Sequence, residues 1–260
     1  MKHLNFKERA KQCKHPLSKK LFQLIHEKQT NLALSADLTR TNDIIQLVQQ
    51  VGDEICILKT HVDIIEDFSI EFINELQALA TKHRFILFED RKFSDIGNTV
   101  LHQYEHGVYH IADWADIVNA HLLPGEGVIT GLKRAGLAKQ RGLLLVAQMS
   151  SKENYFTPEY TEQCIKLAKQ HKDFVIGFIC QEKLSDDPDF IHMTPGIKFN
   201  SNEDSLGQGY LTPEYVIKEK LSDIIIVGRG IYASKNSKQA ASAYRQAAWD
   251  AVLIRTSNMI

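Results

Sequence analysis

Short apolar runs alternate with longer amphipathic stretches along the whole chain. Eight of these runs are predicted to be buried parallel strands, because they are short, often β-branched and apolar on both faces. The predicted strands cover residues 32–36, 55–58, 85–88, 117–118, 143–147, 174–179, 191–193 and 224–227.

The segments between these strands are predicted to be helices. Residues 41–51, 69–82 and 158–169 have apolar positions at helical spacing and begin with a polar residue or a proline. Two further helical stretches, residues 5–13 and 18–29, precede the first strand. We expect these two to close the floor of the structure that the strands form.

Eight strands that alternate with helices over about 230 residues are typical of an α/β protein of the (β/α)₈ class, a TIM barrel. We expect a single domain over residues 1–260, with the barrel itself at about 30–255. A doubly wound open sheet is the alternative. It is less well supported, since no GxGxxG sequence follows the first strand and eight is the number of units in a barrel.

Composition narrows the class of function. Lys and Arg number 31 against 32 for Asp and Glu, so the chain lacks the basic excess that duplex-binding proteins usually carry. No stretch approaches about 18 consecutive apolar residues, and the basic, polar start lacks the apolar run of a secretory signal. We therefore expect a cytoplasmic protein that binds neither nucleic acid nor a membrane. Cys13, Cys56, Cys164 and Cys180 form no CxxC pair and are predicted to be buried, inert thiols.

Polar and ionisable residues collect just past the predicted strands. In barrel enzymes the active site lies at the carboxyl ends of the strands. The residues at these positions are Asp37, Lys59, His61, Asp90, Lys92, Asn119, His121, Gln148, Ser150, Pro195, Gly228 and Arg229. A purely structural barrel would not need them there, so we expect a catalytic site at this end.

Two lysines and two aspartates are expected to converge at this site. Side chains two residues apart in an extended chain point to the same side, so Asp90 and Lys92 should meet, as should Lys59 and His61. An ammonium flanked by carboxylates stays protonated and can deliver a proton to a developing carbanion. The alternative is a structural ion-pair network at the barrel rim. The catalytic interpretation is favoured by the charged residues taken together, which are Asp37, Lys59, Asp90, Lys92 and Asp95.

A phosphate site is expected after the last strand, where Gly228 and Arg229 follow a buried run. Many barrels bind phosphate in the loops after strands seven and eight, and an arginine adds a positive charge that can form bidentate hydrogen bonds to the phosphate. Residues 196–212 have no apolar period, as in many active-site lids, and carry Gln208 and Tyr210 near their end. A solvated loop is the alternative interpretation of this segment.

Six segments resemble the signatures of orotidine 5′-phosphate decarboxylases and occur in the family's order. They are Leu32-Ala-Leu-Ser-Ala-Asp37, Leu58-Lys-Thr-His-Val-Asp63, Phe88-Glu-Asp-Arg-Lys-Phe-Ser-Asp-Ile-Gly-Asn-Thr99, Met193-Thr-Pro-Gly196, Leu206-Gly-Gln208 and Ile224-Ile-Ile-Val-Gly-Arg-Gly230. The form most resembled is that of fungi and of the decarboxylase half of animal UMP synthase. The chain departs from the family at Gln148, where relatives often have glutamate, and at Gly209, where many have glutamine.

The resemblance implies decarboxylation of orotidine 5′-phosphate to UMP and carbon dioxide, with no cofactor and no metal. It implies that Lys92 protonates C6 of the pyrimidine, that Asp90 lies against the departing carboxylate and that Lys59 bridges the aspartates and contacts the ribose. The implied substrate-binding residues are Asp37, Ser35, His61, Thr99, Ser150, Pro195, Gln208, Tyr210, Gly228 and Arg229.

The resemblance also implies a homodimer, in which Asp95, the fourth catalytic residue, and Thr99 reach into the neighbouring subunit's site. Two other functions stay open at this point. One is a magnesium-dependent sugar-phosphate decarboxylase or aldolase on a related barrel, against which the intact Asp-Arg-Lys-Phe-Ser-Asp-Ile-Gly-Asn-Thr segment argues. The other is a nucleotide sensor or scaffold without catalysis, since a fold alone never excludes one.

Overall fold

The computed structural model describes residues 4–199 and 209–257. Eight parallel strands close into a barrel, in which each strand pairs with the next and β8 pairs with β1. The strands are β1 (Leu32–Ser35), β2 (Ile57–Thr60), β3 (Ile86–Phe93), β4 (Ile117–Ala120), β5 (Gly142–Val146), β6 (Val175–Ile179), β7 (Ile191–Thr194) and β8 (Ile224–Val227). The predicted barrel is confirmed, and the pairing of Leu32 with Ile225 excludes an open sheet.

Helices surround this barrel. They are α1 (Phe6–Gln12), α2 (Pro16–Lys28), α3 (Thr41–Val51), α4 (Ile70–His83), α5 (Gly97–Glu105), α6 (Ile111–Trp114), α7 (Gly127–Gly136), α8 (Pro158–Gln170), α9 (Pro213–Lys218), α10 (Arg229–Tyr232) and α11 (Ser237–Ser257). The predicted α3 has the predicted bounds, and α4 and α8 begin where Ser69 and Thr157 accept hydrogen bonds as N-caps. Within the described part of the chain, no helix has the length and apolar character needed to cross a membrane.

The first two helices close the barrel floor, as predicted. Arg9 of α1 donates to the carboxylate of Asp223, just before β8, at 2.5 Å and to the carbonyl of Phe190, just before β7, at 2.6 Å. Leu17 of α2 packs where Gly142 begins β5: a Cβ on that glycine would lie 3.0 Å from a Leu17 methyl carbon. The amino ends of the strands are therefore covered, which leaves the carboxyl ends for a site.

The four cysteines are free and buried. Burial raises the pKa of the thiols of Cys13, Cys56 and Cys164 to about 12 in each case. Such thiols are protonated at neutral pH and therefore poor nucleophiles and metal ligands. The interpretation of these residues as buried, inert thiols is confirmed.

Two strand boundaries differ from the prediction in a way that matters for the site. β2 begins two residues later than predicted and includes Lys59, and β3 continues five residues past the predicted end to Phe93. Asp90 and Lys92 therefore lie within a strand rather than beyond it. The apolar pattern ends earlier than the strand because Asp90 and Lys92, near the end of β3, line a polar cavity.

Candidate active site

A cavity of about 220 Å³ opens at the carboxyl ends of the strands. Its lining includes predicted site residues from several strands and the loops that follow them: Ser35, Asp37, Lys59, Asp90, Lys92, Ser150, Pro195, Tyr210, Gly228 and Arg229. A cavity of about 330 Å³ lies at the opposite end, where the Arg9–Asp223 pair forms part of the floor. The chemistry expected from the sequence belongs to the first cavity, in keeping with the rule for barrel enzymes.

Opposite charges alternate along one wall of this cavity. The ammonium of Lys59 lies 2.6 Å from one oxygen of Asp90 and 3.7 Å from Asp37. The ammonium of Lys92 lies 2.7 Å from the other oxygen of Asp90. The structure thus brings together the four charged residues that the sequence singled out, with Asp90 between two ammonium groups.

Both central members of this array are ionised at neutral pH. Burial acts to raise the pKa of Asp90, but the charges of Lys59 and Lys92 outweigh it and hold the pKa well below its usual range. Burial likewise acts to lower the pKa of Lys59, and the charges of Asp90 and Asp37 more than reverse that effect. Asp90 and Lys59 therefore keep their charges near neutral pH.

His61 completes the array as an uncharged member. Its Nε2 lies 2.8 Å from the Lys59 ammonium and 3.3 Å from Asp90. Burial, and then the charge of Lys59, lowers the pKa of His61, so the ring is neutral at pH 7 and its Nε2 accepts a hydrogen bond from Lys59. His61 therefore orients the Lys59 ammonium.

The backbone of β3 is not regular where it carries the two charged residues. Lys92 has φ of 50°, in the left-handed region, and the register against β4 shifts between Glu89 and Phe93. The predicted meeting of Asp90 and Lys92 occurs, but the reason given for it, a regular extended chain, is wrong. A lysine held in this conformation carries local strain, which is typical of functional sites.

Asn119 stabilises this unusual conformation. Its side-chain carbonyl accepts a hydrogen bond from the backbone N–H of Lys92 at 2.7 Å, and its amide donates to Asp90 at 2.6 Å. Sequence reasoning noted Asn119 as a polar residue near the end of β4 but gave it no role. Its full burial in an otherwise apolar strand was the available signal.

Glu89 is a second buried residue to which the sequence gave no role. It is fully buried beside Asp90, and its carboxyl accepts hydrogen bonds from the Thr60 hydroxyl at 2.7 Å and the Val62 N–H at 3.1 Å. Burial raises the pKa of Glu89 to about 8 against these hydrogen bonds. Thr60 and Val62 flank His61, so Glu89 fixes the turn that carries the histidine.

The other end of the cavity carries the predicted phosphate residues. A side-chain nitrogen of Arg229 donates to the Tyr210 hydroxyl at 2.5 Å. Gly228 packs against β1, where an added Cβ would lie 3.4 Å from the Cβ of Ser35 and 3.5 Å from Asp37. Ser35 in turn donates to Asp37 at 2.7 Å. This end therefore offers a cation and a hydroxyl, while the Ser35–Asp37 pair lies between it and the charged array.

Seven residues singled out from the sequence do not line this cavity or lie outside the described structure: His61, Asp95, Thr99, Asn119, His121, Gln148 and Gln208. Asp95 is exposed and Thr99 is half-buried in α5, and neither lines the cavity of its own chain. Gln148 accepts from the backbone N–H of Gln181 at 2.7 Å and does not line the cavity. Gln208 lies outside the described residues. In the described part of the chain, no group of three or more His, Cys, Asp or Glu side chains has the arrangement of a metal site.

Comparisons with known proteins identify the family. The family model for the orotidine 5′-phosphate decarboxylase / HUMPS family matches residues 30–244. The chain is 51% identical over 255 residues to the uridine 5′-monophosphate synthase of Bos taurus, covering 98% of this chain but 53% of that protein. It therefore spans about half the length of that relative. It is 50% identical over 253 residues to the orotidine 5′-phosphate decarboxylase of Rhizopus oryzae, covering 96% of each chain.

A solved structure shares the fold. The orotidine 5′-monophosphate decarboxylase of Methanocaldococcus jannaschii, complexed with the inhibitor BMP, matches with a TM-score of 0.67 and 20% sequence identity, over 84% of this chain and 98% of that chain. At this identity the likeness concerns the fold alone. The family model covers most of the sequence, and curated relatives share about half of its residues over nearly its whole length. This chain therefore belongs to the orotidine 5′-phosphate decarboxylase / HUMPS family.

Proposed function

We propose that this chain decarboxylates orotidine 5′-phosphate to UMP and carbon dioxide, the last step of de novo pyrimidine nucleotide synthesis, and that Lys92 protonates C6. The observation that carries the proposal is the Lys92 ammonium, which lines the cavity and is hydrogen-bonded to buried, ionised Asp90. The family to which the chain belongs supports this choice of substrate. So do relatives named orotidine 5′-phosphate decarboxylase that share about 50% sequence identity with the chain.

The reaction needs a positive charge at one atom. When the bond between C6 and the carboxylate carbon breaks, the electron pair stays on C6 and carbon dioxide leaves. Many decarboxylases draw such a pair into a cofactor, whereas a preorganised ammonium can stabilise it directly. In our proposal Lys92 supplies that charge and transfers a proton to C6, forming the new C–H bond. The resulting neutral amine recovers a proton from solvent.

The neighbouring residues hold this ammonium in place. Asp90 accepts a hydrogen bond from Lys92 on one oxygen and from Lys59 on the other, so it fixes both lysines. Its ionised carboxylate would lie against the substrate carboxylate, and loss of carbon dioxide relieves the repulsion between them. In this proposal Lys59 and Asp37 would bind the ribose hydroxyls, and this would set C6 over Lys92.

The phosphate and the pyrimidine would lie at opposite sides of the array. Arg229, Tyr210 and the backbone at Gly228 form the phosphate end, and Ser150 and Pro195 line the wall that would face the base. Binding energy from the phosphate, remote from C6, would then support the chemistry. The proposed role of Gln208 at the phosphate stays a prediction.

We further propose that the active unit is a homodimer in which Asp95 and Thr99 of each subunit reach the neighbour's site. The exposed position of Asp95, and the absence of both residues from their own chain's cavity lining, support this arrangement. Ile96, between them, is 64% exposed and is an apolar side chain that a subunit contact would bury.

The test is a decarboxylation assay in the presence of EDTA. The purified chain is incubated with orotidine 5′-phosphate, and the pyrimidine absorbance is followed beside that of Lys92→Ala and of Lys218→Met. Lys218 pairs with Glu214 on α9, outside the cavity, and is the matched control. We expect turnover that survives chelation, falls about 10³-fold or more in Lys92→Ala and is unchanged in the control.

Other outcomes would identify the alternatives. Activity that EDTA abolishes would favour a metal-dependent enzyme of a related barrel. UMP binding without any turnover of orotidine 5′-phosphate would sink the enzymatic proposal and favour a nucleotide sensor.

A further inference from the structure

Two cationic side chains meet the same tyrosine ring at one end of the cavity. The Lys198 ammonium lies 3.9 Å from the centroid of the Tyr210 ring, and the guanidinium carbon of Arg229 lies 5.8 Å from it. All three residues line the cavity. The sequence patterns did not single out Lys198, because it lies four residues past the end of β7 and belongs to no motif.

The backbone on both sides of Lys198 is anchored. Its N–H donates to the carbonyl of Leu211 at 3.0 Å, and the N–H of Leu211 donates to the carbonyl of Gly196 at 2.9 Å. The next residue, Phe199, stacks on Tyr244 of α11 with ring centroids 4.2 Å apart. A lysine with a fixed backbone loses less conformational freedom on binding than one carried on a free loop.

The described part of the chain provides no carboxylate partner for Lys198. No carboxylate among residues 4–199 and 209–257 forms an ion pair with its ammonium, which rests on the face of Tyr210 instead. The carboxylate of Asp37, which lines the same cavity, already accepts a hydrogen bond from Ser35 and pairs with Lys59. A phosphate monoester carries about −1.5 to −2 charges at pH 7. Arg229 alone would leave much of that charge uncompensated.

We propose that Lys198 is a second phosphate-binding cation, which neutralises the 5′-phosphate of the nucleotide together with Arg229. This inference rests on the proposed function, since it takes the nucleotide phosphate to lie beside Tyr210. The flexible four-carbon stem lets the ammonium move from the ring face to a phosphate oxygen while the backbone stays in place. Lys198 would thus help the site to select a phosphorylated nucleotide over its nucleoside.

The experiment compares a ligand that carries the phosphate with one that lacks it. UMP and uridine are titrated by calorimetry against the wild type, Lys198→Met, Lys198→Arg and the control Lys218→Met. We expect Lys198→Met to weaken UMP binding roughly tenfold to a hundredfold, because a hydrogen bond to a charged group is lost. Uridine binding and the control should not change, and Lys198→Arg should recover most of the affinity for UMP.

Unchanged UMP affinity in Lys198→Met would overturn the inference, as would equal losses for UMP and uridine, which would mean general damage to the site. Thermal unfolding of each variant shows whether it is folded. If Lys198→Met does not fold, the comparison of UMP and uridine binding by Lys198→Arg still tests the inference. The binding measurements do not depend on turnover. A wild type that binds UMP but leaves orotidine 5′-phosphate intact would refute the proposed function while still testing Lys198.

Discussion

Replacement of Glu89 by glutamine should change the pH dependence of stability in a predictable direction. Burial raises the pKa of Glu89 from 4.5 to about 8 in the folded chain. Between these two values the folded state holds a proton that the unfolded state has released, so a rise in pH favours unfolding. The stabilisation is complete below pH 4.5 and is lost as the pH rises toward 8. The glutamine side chain is neutral at every pH and has nearly the same shape as glutamate.

The size of this change in stability follows from the single proton that Glu89 holds in the folded state and releases on unfolding. Each pH unit inside this window changes the free energy of unfolding by about 1.4 kcal/mol. From pH 5.5 to 7.5, Glu89→Gln should therefore gain about 2 to 3 kcal/mol relative to the wild type. One oxygen of Glu89 accepts from both Thr60, at 2.7 Å, and Val62, at 3.3 Å, so the single glutamine carbonyl can accept both hydrogen bonds.

The assay is urea unfolding followed by circular dichroism at pH 5.5, 6.5 and 7.5, at one protein concentration. The histidines are common to both proteins, so any contribution they make cancels in the difference. Glu75→Gln, on the exposed face of α4, is the matched control and should give a difference that stays constant across the three pH values. A Glu89→Gln difference that is constant, or that shrinks as the pH rises, would refute the reasoning.

Three further predictions concern the site, the dimer and the floor. Asn119→Ala removes the hydrogen-bond partner of Asp90 and of the Lys92 N–H. In steady-state assays kcat should fall at least tenfold, a larger change than that in KM, and an unchanged kcat would contradict the positioning role of Asn119. When the inactive Lys92→Ala and Asp95→Ala chains are mixed and exchange subunits, about a quarter of wild-type activity should return. Half of the dimers would then contain both variants, and each of these would have one intact site out of two. No recovery of activity would argue against a shared site. Arg9→Ala should lower the free energy of unfolding by about 3 to 5 kcal/mol in urea titrations, because it removes the arginine partner of the buried carboxylate of Asp223. A loss below about 1 kcal/mol would contradict that account.

The sequence alone predicted the barrel and the end of the barrel at which the site lies. The number of strands, their order and the position of the first charged residue after each strand all follow from local periodicity, because a buried parallel strand must be apolar on both faces. The predicted position of Lys59 near Asp90 needed only the rule that all carboxyl ends of the strands open on one side. The specific motif around Asp90 and Lys92 then pointed to the family.

The tertiary structure decided which polar groups support those charges. The contact of Asn119 with Asp90 spans 29 positions, that of Glu89 with Thr60 also 29, and neither side chain has a local pattern that names its partner. The left-handed backbone at Lys92 is likewise invisible to a period of two, because the hydrogen bond to Asn119 imposes it from another strand. Periodicity records only which face of an element is buried. Pairing between groups far apart in the chain depends on how the barrel closes, and only the folded structure fixes that.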